Sequence, residues 1–226
     1  MNPVLILTHN CLELTKKCVE SVRAQDVPTL IAIIDNGSTD GTREWVSDEN
    51  IQTVLFTENL GVSVGWNVGL NLAFTSHEHV LCLNNDTQLP PYFYRKLISC
   101  GVPFVTGMDV GMSHLPETPP EFSPLVPHPD FSCFLIRRDC WDKVGPFDER
   151  MVIYASDCAY HVESHRKGIP LWKANVPYNH ERSSTLNRAS NKERAIIQAQ
   201  ANKDREVFKS IYGCIPGEPA YGELFK

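Results

Sequence analysis

The sequence predicts an α/β fold built on a central, mostly parallel sheet flanked by helices. Short apolar runs recur through the first half of the chain, each ending abruptly in polar residues, and stripes of apolar residues at helical spacing separate them. One run, residues 80–83 (VLCL), is apolar without alternation, as strands buried on both faces are. Strand, helix and strand in regular succession imply right-handed parallel crossovers, which line up the polar strand ends along one edge.

The elements follow in order. Residues 4–7 form the first strand and run into Thr8, His9 and Asn10. Leu14, Cys18 and Val22 share one face of the first helix, with Glu13, Lys16, Lys17 and Glu20 opposite. Residues 30–34 are the second strand, ending at Asp35 and Asn36. The following DNGSTDGT (35–42) is a turn in which Thr39 or Asp40 caps a short helix over 43–46. Residues 52–56 read as a weaker third strand, ended by Glu58 and Asn59. Trp66, Leu70 and Phe74 stripe the next helix. Gly61, Gly65 and Gly69 suit either tight helix-to-sheet packing or close approach of the backbone to a nucleotide. Residues 80–83 then end in Asn84, Asn85, Asp86 and Thr87. Six prolines between 116 and 129 exclude long regular elements from 108–131, which read as loop. A helix carrying Tyr160, Val162, His165 and Arg166 begins near Asp157.

Composition narrows the function classes. With 226 residues, 42% of them hydrophobic, and no linker-like stretch, the chain reads as one globular unit. No run approaches the ~20 apolar residues that span a bilayer. The first residues lack a signal-peptide pattern, so a cytoplasmic protein is expected. A net charge of −6 without a basic run argues against nucleic acid as partner. The eight cysteines include no CxxC pair and read as small core residues. His161 and His165, four apart, lack a third zinc ligand and read as a partly solvated helix face. Neither GxGxxG nor a P-loop lysine is found.

Open parallel sheets bind ligands beyond the carboxyl ends of their strands, where Asp35 and Asp86 lie. Each has a plain reading as a turn residue. Asp35 also suits accepting the ring N–H of a pyrimidine base.

Taken together, the segments 35–42, 59–69 and 83–87, then VGPFDE (144–149), YASD (154–157) and NHERSST (179–185), resemble a known family. They are similar in order and spacing to the inverting nucleotide-sugar glycosyltransferases of family 2, of GT-A fold, and particularly to the rhamnosyltransferase-like branch. VFKSIYG (207–213) is similar to a closing helix of that branch. The resemblance implies a single GT-A domain over 1–226, with a nucleotide-binding half at 1–100 and an acceptor-binding, catalytic half at 101–226. It implies a nucleotide diphosphate sugar donor, for which Asp35 favours UDP or dTDP, a glycan or other hydroxyl-bearing acceptor, and Mn²⁺ or Mg²⁺ to neutralise the leaving diphosphate.

Residue by residue, Asp86 matches the acidic end of the family's DxD motif and is a metal ligand by analogy, with His180 as the second. Asn84 stands where many members carry the first Asp, and so suits a hydrogen bond to nucleotide. Thr8, Asn10, Asp35, Asn36, Asn59, Gly61, Asn67 and Asn85 complete the nucleotide-binding set, with Arg182, beside Ser183 and Ser184, for the diphosphate. Asp157 matches the general base, although Ser156 replaces the usual preceding Glu. The 108–131 loop is expected to border the acceptor site. Trp141, Tyr154 and Trp172 suit either sugar stacking or the core. Two other classes stand beside this reading. A catalytically silent glycan- or nucleotide-sugar-binding domain has Asn84 and Ser156 as its support, while retention of both Asp86 and Asp157 argues against it. A sugar nucleotidyltransferase is disfavoured because the first strand runs into THNCLEL and not into a glycine-rich, arginine-containing loop.

Overall fold

The apolar runs of the first eighty-odd residues pair edge to edge in parallel. β1 (Asn2–Thr8), β2 (Thr29–Asp35), β3 (Gln52–Leu55) and β4 (His79–Asn84) lie in the order β3-β2-β1-β4. They are joined by α1 (Leu12–Arg23), α2 (Thr42–Asp48) and α3 (Val62–Ala73). The computed structural model describes residues 1–111, 121–124, 130–181 and 190–226.

Alternation along each strand divides the core between the two faces of the sheet. Ile6, Ile33, Leu81 and Leu83 pack with Cys18, Val19 and Val22 of α1. Leu5, Leu7, Ile34, Val80 and Cys82 pack with Trp66 and Leu70 of α3. Val80 through Leu83 are fully buried, as a strand covered on both faces must be. Gly65 and Gly69 serve this packing. A Cβ would lie 2.4 Å from the Leu7 side chain at Gly65, and 2.3 Å from that of Leu5 at Gly69. β3 is the sheet's edge, and its Leu55 is exposed.

The second half of the chain extends the same sheet and does not build another. β5 (Thr87–Gln88) and α4 (Phe93–Ser99) lead to β6 (Phe104–Asp109). Beyond β7 (Phe122–Pro124), β8 (Cys133–Arg137) inserts antiparallel between β4 and β6. α5 (Arg138–Val144) and α6 (Ser156–Arg166) precede β9 (Trp172–His180), which runs parallel to β6 and pairs antiparallel with β5 and β7. α7 (Asn191–Tyr212) opens on a capping box of Ser190 and Glu193 and closes at Gly213 in the left-handed conformation, and α8 (Pro219–Glu223) follows.

Three expectations are corrected. The proline-rich stretch is not all loop, since β6 continues to Asp109 and β7 pairs along the outer side of β9, where proline is tolerated. Gly41, not Thr39 or Asp40, is the cap residue of α2, while Asp40 accepts the backbone N–H of Thr42 and that of Leu12 at the start of α1. His161 is buried and not partly solvated, its ring 4.5 Å from that of Phe225; His165 is exposed. Six of the eight cysteines are buried, Cys11 and Cys100 are partly exposed, and all are free thiols.

Burial, with a smaller contribution from the His165 charge, pushes His161 down to about 4, and its Nδ1 has no hydrogen-bond partner among the described residues. Between the ordinary histidine value and about 4 the unfolded chain therefore binds a proton that the folded chain refuses, so stability falls as pH drops through that window. His161→Phe removes this titration. The unfolding free energy of the variant should fall less than that of the parent between pH 6.5 and 4, measured by urea titration at each pH. Parallel pH profiles would contradict the burial account.

Candidate active site

The strand ends of β1, β2 and β4 meet through side-chain hydrogen bonds. Asn85 donates its amide to Thr8 Oγ1 at 2.9 Å, Thr15 Oγ1 at 2.9 Å and the Asn10 carbonyl at 3.0 Å, tying the loop after β4 to the loop after β1. Asn10 and Cys11 hold positive φ in that loop, and Asn10 Oδ1 accepts the Thr39 N–H at 2.8 Å. Asn36 accepts the Leu60 N–H and donates to the Gly61 carbonyl, joining the turn after β2 to the start of α3. Asn59 Oδ1 accepts the Gly61 N–H.

Asp35 lies at the centre of this edge and is fully buried. Oδ1 accepts from the Gly37 N–H, the Ser38 N–H and Arg43 Nε at 3.1, 2.9 and 3.1 Å. Arg43 is itself anchored on the Phe56 carbonyl. Oδ2 is buried with no hydrogen-bond partner among the described residues. A buried carboxylate oxygen left unpaired costs several times what a satisfied one contributes, so a donor is owed to it.

A second cluster forms where β4, β6 and β9 end. The two-residue pairing of β5 with β9 sets Thr87 opposite His180, and the Glu181 N–H closes it on the Asp86 carbonyl at 3.0 Å. His180 Nε2 lies 3.3 Å from Asp86 Oδ1, and Nδ1 lies 3.3 Å from Asp109 Oδ2 and 3.9 Å from Asp130 Oδ2. Asp109, Asp130 and His180 can also bring their ligand atoms within 4.8 Å of one another. Burial opposes a charge on this imidazole, but the carboxylates of Asp86, Asp130 and Asp109 hold its pKa above the ordinary value. An imidazole nitrogen facing a carboxylate oxygen at this distance needs a proton or a cation between the two lone pairs. Carboxylate oxygens with one imidazole make a donor set that Mn²⁺ accepts, so the residues fit a divalent cation.

Asp157 is partly buried in the first turn of α6. It is not the helix cap. That place belongs to Ala155, at φ +63, and Asp157 Oδ1 accepts the adjacent Cys158 N–H at 2.8 Å. Burial, reinforced by the Asp130 charge, pushes its carboxyl up to about 6. The segment leading to it is held from two sides. On one, Ser63 donates to the Met151 carbonyl, Val62 N–H to the Val152 carbonyl, and Asn67 clasps Phe147 and Glu149. Gly61 is forced there, because a Cβ would sit 2.4 Å from the Val152 carbonyl oxygen. On the other, the fully buried Asp204 of α7 accepts the N–H groups of Val152, Ile153 and Tyr154 at 3.1, 2.8 and 2.8 Å.

The structure thus gathers Asp86 and His180 in one cluster, and Thr8, Asn10, Asp35, Asn36 and Asn85 along one edge. The side-chain amides of Asn36 and Asn85 join loops, and that of Asn67 ties α3 to the segment 147–149. Asn84 ends β4, its backbone N–H on the Ser132 carbonyl. Arg182, with Ser183 and Ser184, lies outside the described residues. Trp141 is core, packed on Phe74; Trp172 is half-buried in β9, and Tyr154 is exposed. Sequence reasoning missed Asp109, Asp130 and Asp204. Asp109 ends the apolar run FVTGMD and was discoverable by the rule that picked out Asp86. Asp130 and Asp204 carry no local signal.

Residues 4–99 match the model of the family described as Glycosyl transferase family 2, and the fold is GT-A. Among individual relatives, the uncharacterized protein Rv1525 of Mycobacterium tuberculosis is 30% identical over 131 residues, covering 51% of this chain and 48% of the relative. The uncharacterized protein Mb1552 of Mycobacterium bovis matches to the same extent. The chain spans about half the length of these curated relatives. Of solved structures, the mannosyltransferase PcManGT from Pyrobaculum calidifontis, in complex with GDP-Man and Mn²⁺, has a TM-score of 0.65 at 16% identity, over 99% of this chain and 67% of that one. TarS of S. aureus (residues 1–349), in complex with UDP, has a TM-score of 0.58 at 17% identity, over 80% of this chain and 58% of that one. At these identities the likeness is one of fold.

The clamp on the segment before Asp157 is open to direct test. Asp204→Ala leaves three backbone N–H groups without their acceptor and should lower the unfolding free energy by about 2–3 kcal/mol, read from the urea midpoint. A loss below about 0.5 kcal/mol, the range of ordinary surface substitutions, would show that the carboxylate does not hold the segment.

Proposed function

We propose that this chain is a metal-dependent, inverting glycosyltransferase of the rhamnosyltransferase-like branch of family 2. It moves a sugar from a nucleotide diphosphate sugar, with UDP or dTDP favoured, to a hydroxyl of a glycan or small acceptor. In this reading 1–226 act as one domain, with 1–100 binding nucleotide and 101–226 supplying the acceptor side and the base. The observation that carries the proposal is the buried Oδ2 of Asp35 at a strand end, which has no hydrogen-bond partner among the described residues and matches the ring N–H of uracil or thymine. Thr8, Asn10 and Asn59 shape the same edge, Asn84 meets the nucleotide, and Arg182 meets the diphosphate.

Asp86 and His180 are the residues that would hold Mn²⁺ or Mg²⁺, whose charge offsets that of the departing diphosphate. Asp157 accepts the proton of the acceptor hydroxyl as that oxygen bonds to the anomeric carbon and the bond from this carbon to the diphosphate oxygen breaks on the opposite face. Its carboxyl, raised to about 6, is ionised at neutral pH yet more basic than an exposed aspartate, which suits a general base. The complexes of the structural neighbours with GDP-Man and Mn²⁺ and with UDP support a nucleotide-sugar donor and leave uracil and guanine to be separated by experiment. A silent binding domain is the second reading, favoured by Asn84 and Ser156 at positions where acidic residues are usual in the family.

Two predictions follow from the roles of the carboxylates. Asp35→Asn places an amide N–H where an acceptor is required, so calorimetric affinity for UDP should fall by at least about tenfold, in line with losing a charge-assisted hydrogen bond. In the parent, UDP, dTDP or GDP should bind more tightly than ADP; tightest binding of ADP would refute the assignment.

Asp157→Asn should leave nucleotide affinity with Mn²⁺ intact while transfer falls by ~10² to 10⁴ fold. Parent transfer, measured with a panel of nucleotide sugars and acceptors, should decline as pH falls through about 6, because protonation removes the base. Transfer unaffected by the substitution would remove Asp157 from the mechanism, and a parent that binds donor but transfers to no acceptor would establish the silent domain.

A further inference from the structure

We propose that Asp109 is a positioning residue for His180, fixing the imidazole so that Nε2 presents its lone pair toward Asp86. This rests on the reading that Asp86 and His180 hold the cation. Asp109 lies outside the segment matched by the family model and is reached from geometry alone.

Both oxygens of Asp109 are engaged. Oδ1 accepts the Gly111 N–H at 2.7 Å, which fixes the carboxylate on the backbone at the end of β6, and Oδ2 lies 3.3 Å from His180 Nδ1. The side chain is 6% exposed against 49% for Asp130, whose nearest oxygen is 3.9 Å from the same nitrogen, so Asp109 is the closer and drier partner. The sheet sets this pairing. β6 and β9 run in parallel with Asp109 opposite Tyr178, after a register shift between Thr106 and Met108 that takes two extra residues of β9. His180 follows Tyr178 by two and shares its face, their rings stacked at 6.5 Å. The Tyr178 hydroxyl is fixed in turn on Ser132 Oγ at 2.6 Å.

A neutral imidazole that donates Nδ1–H to a carboxylate has its one lone pair on Nε2. Here that nitrogen faces Asp86 Oδ1 at 3.3 Å. Carboxylates placed behind a metal-binding histidine orient the ring and raise its basicity, and losing one typically costs 10–100 fold in metal affinity. The competing arrangement puts the cation among Nδ1, Asp109 and Asp130, which makes Asp109 a direct ligand and leaves Asp86 aside.

The test is Mn²⁺ affinity, read from the electron paramagnetic resonance of free Mn²⁺ in the presence of saturating UDP or GDP. The proteins compared are the parent, Asp109→Ala, Asp109→Asn, His180→Ala and the Asp109→Ala/His180→Ala double variant. Asp109→Ala should weaken Mn²⁺ binding about 10–100 fold, and Asp109→Asn, which keeps an oxygen acceptor for Nδ1–H, should recover most of that loss. The double variant should bind no more weakly than His180→Ala, because Asp109 acts only through the ring. Nucleotide affinity in EDTA, which a general structural defect would lower, should stay constant across the series. Asp109→Ala with parental Mn²⁺ affinity, where His180→Ala is weakened, overturns this inference alone. Additive losses in the double variant overturn it in favour of direct ligation. A parent that binds no Mn²⁺ with either nucleotide overturns the underlying cation reading, and this inference with it.

Discussion

The pairing of β5 with β9 is only two residues long, yet the arrangement of the candidate site depends on it. It returns the end of β9, nearly a hundred residues downstream, to the loop that leaves β4, and so sets His180 against Asp86. Two features make that return possible. β8 enters the sheet antiparallel between β4 and β6, which widens the sheet without moving the end of β4, and β9 then runs parallel to β6. Acidic ends from different strands therefore face one histidine. Low exposure keeps their mutual repulsion strong until a positive charge lies among them, which is the condition for selective capture of a cation.

The edge at β1 and β2 uses polar residues differently. Asn36 and Asn85 are bound up with loop backbones and neighbouring hydroxyls, which makes four loops behave as one rigid rim. Within that rim Asp35 has one oxygen satisfied three times over and the other, among the described residues, not at all. Rigidity and an unmet acceptor belong together. A loose rim would let Oδ2 turn toward solvent or a neighbouring N–H. Asp204 plays the equivalent part before Asp157, where three accepted N–H groups hold a turn that ends in Ala155 at positive φ.

Much of the first hundred residues was legible because their physics is local. Parallel strands buried on both faces advertise themselves as apolar runs, and crossover helices as stripes, so β1 to β4, α1 and α3 follow from residue order. β6, β7 and β8 did not. They lie among prolines and short antiparallel connections, where the helical punctuation is missing and pairing depends on partners far away in sequence. The same division holds for the site. Asp35 and Asp86 stand at strand ends and are visible as such, whereas His180 entered only through family resemblance, and Asp130 and Asp204 act through contacts 50 or more residues distant. His161 was misjudged for a related reason, since the Phe225 that covers it comes from the C-terminal end of the chain.

The central claim is that β5–β9 pairing creates one cation position between Asp86 and His180. The most direct measurement is anomalous X-ray diffraction near the manganese edge from crystals grown with UDP and Mn²⁺. The account predicts a single strong peak within bonding distance of Asp86 Oδ1 and His180 Nε2, with Asp109 still hydrogen-bonded to Nδ1. A peak among Asp109, Asp130 and Nδ1, or no peak while UDP is bound, would contradict it.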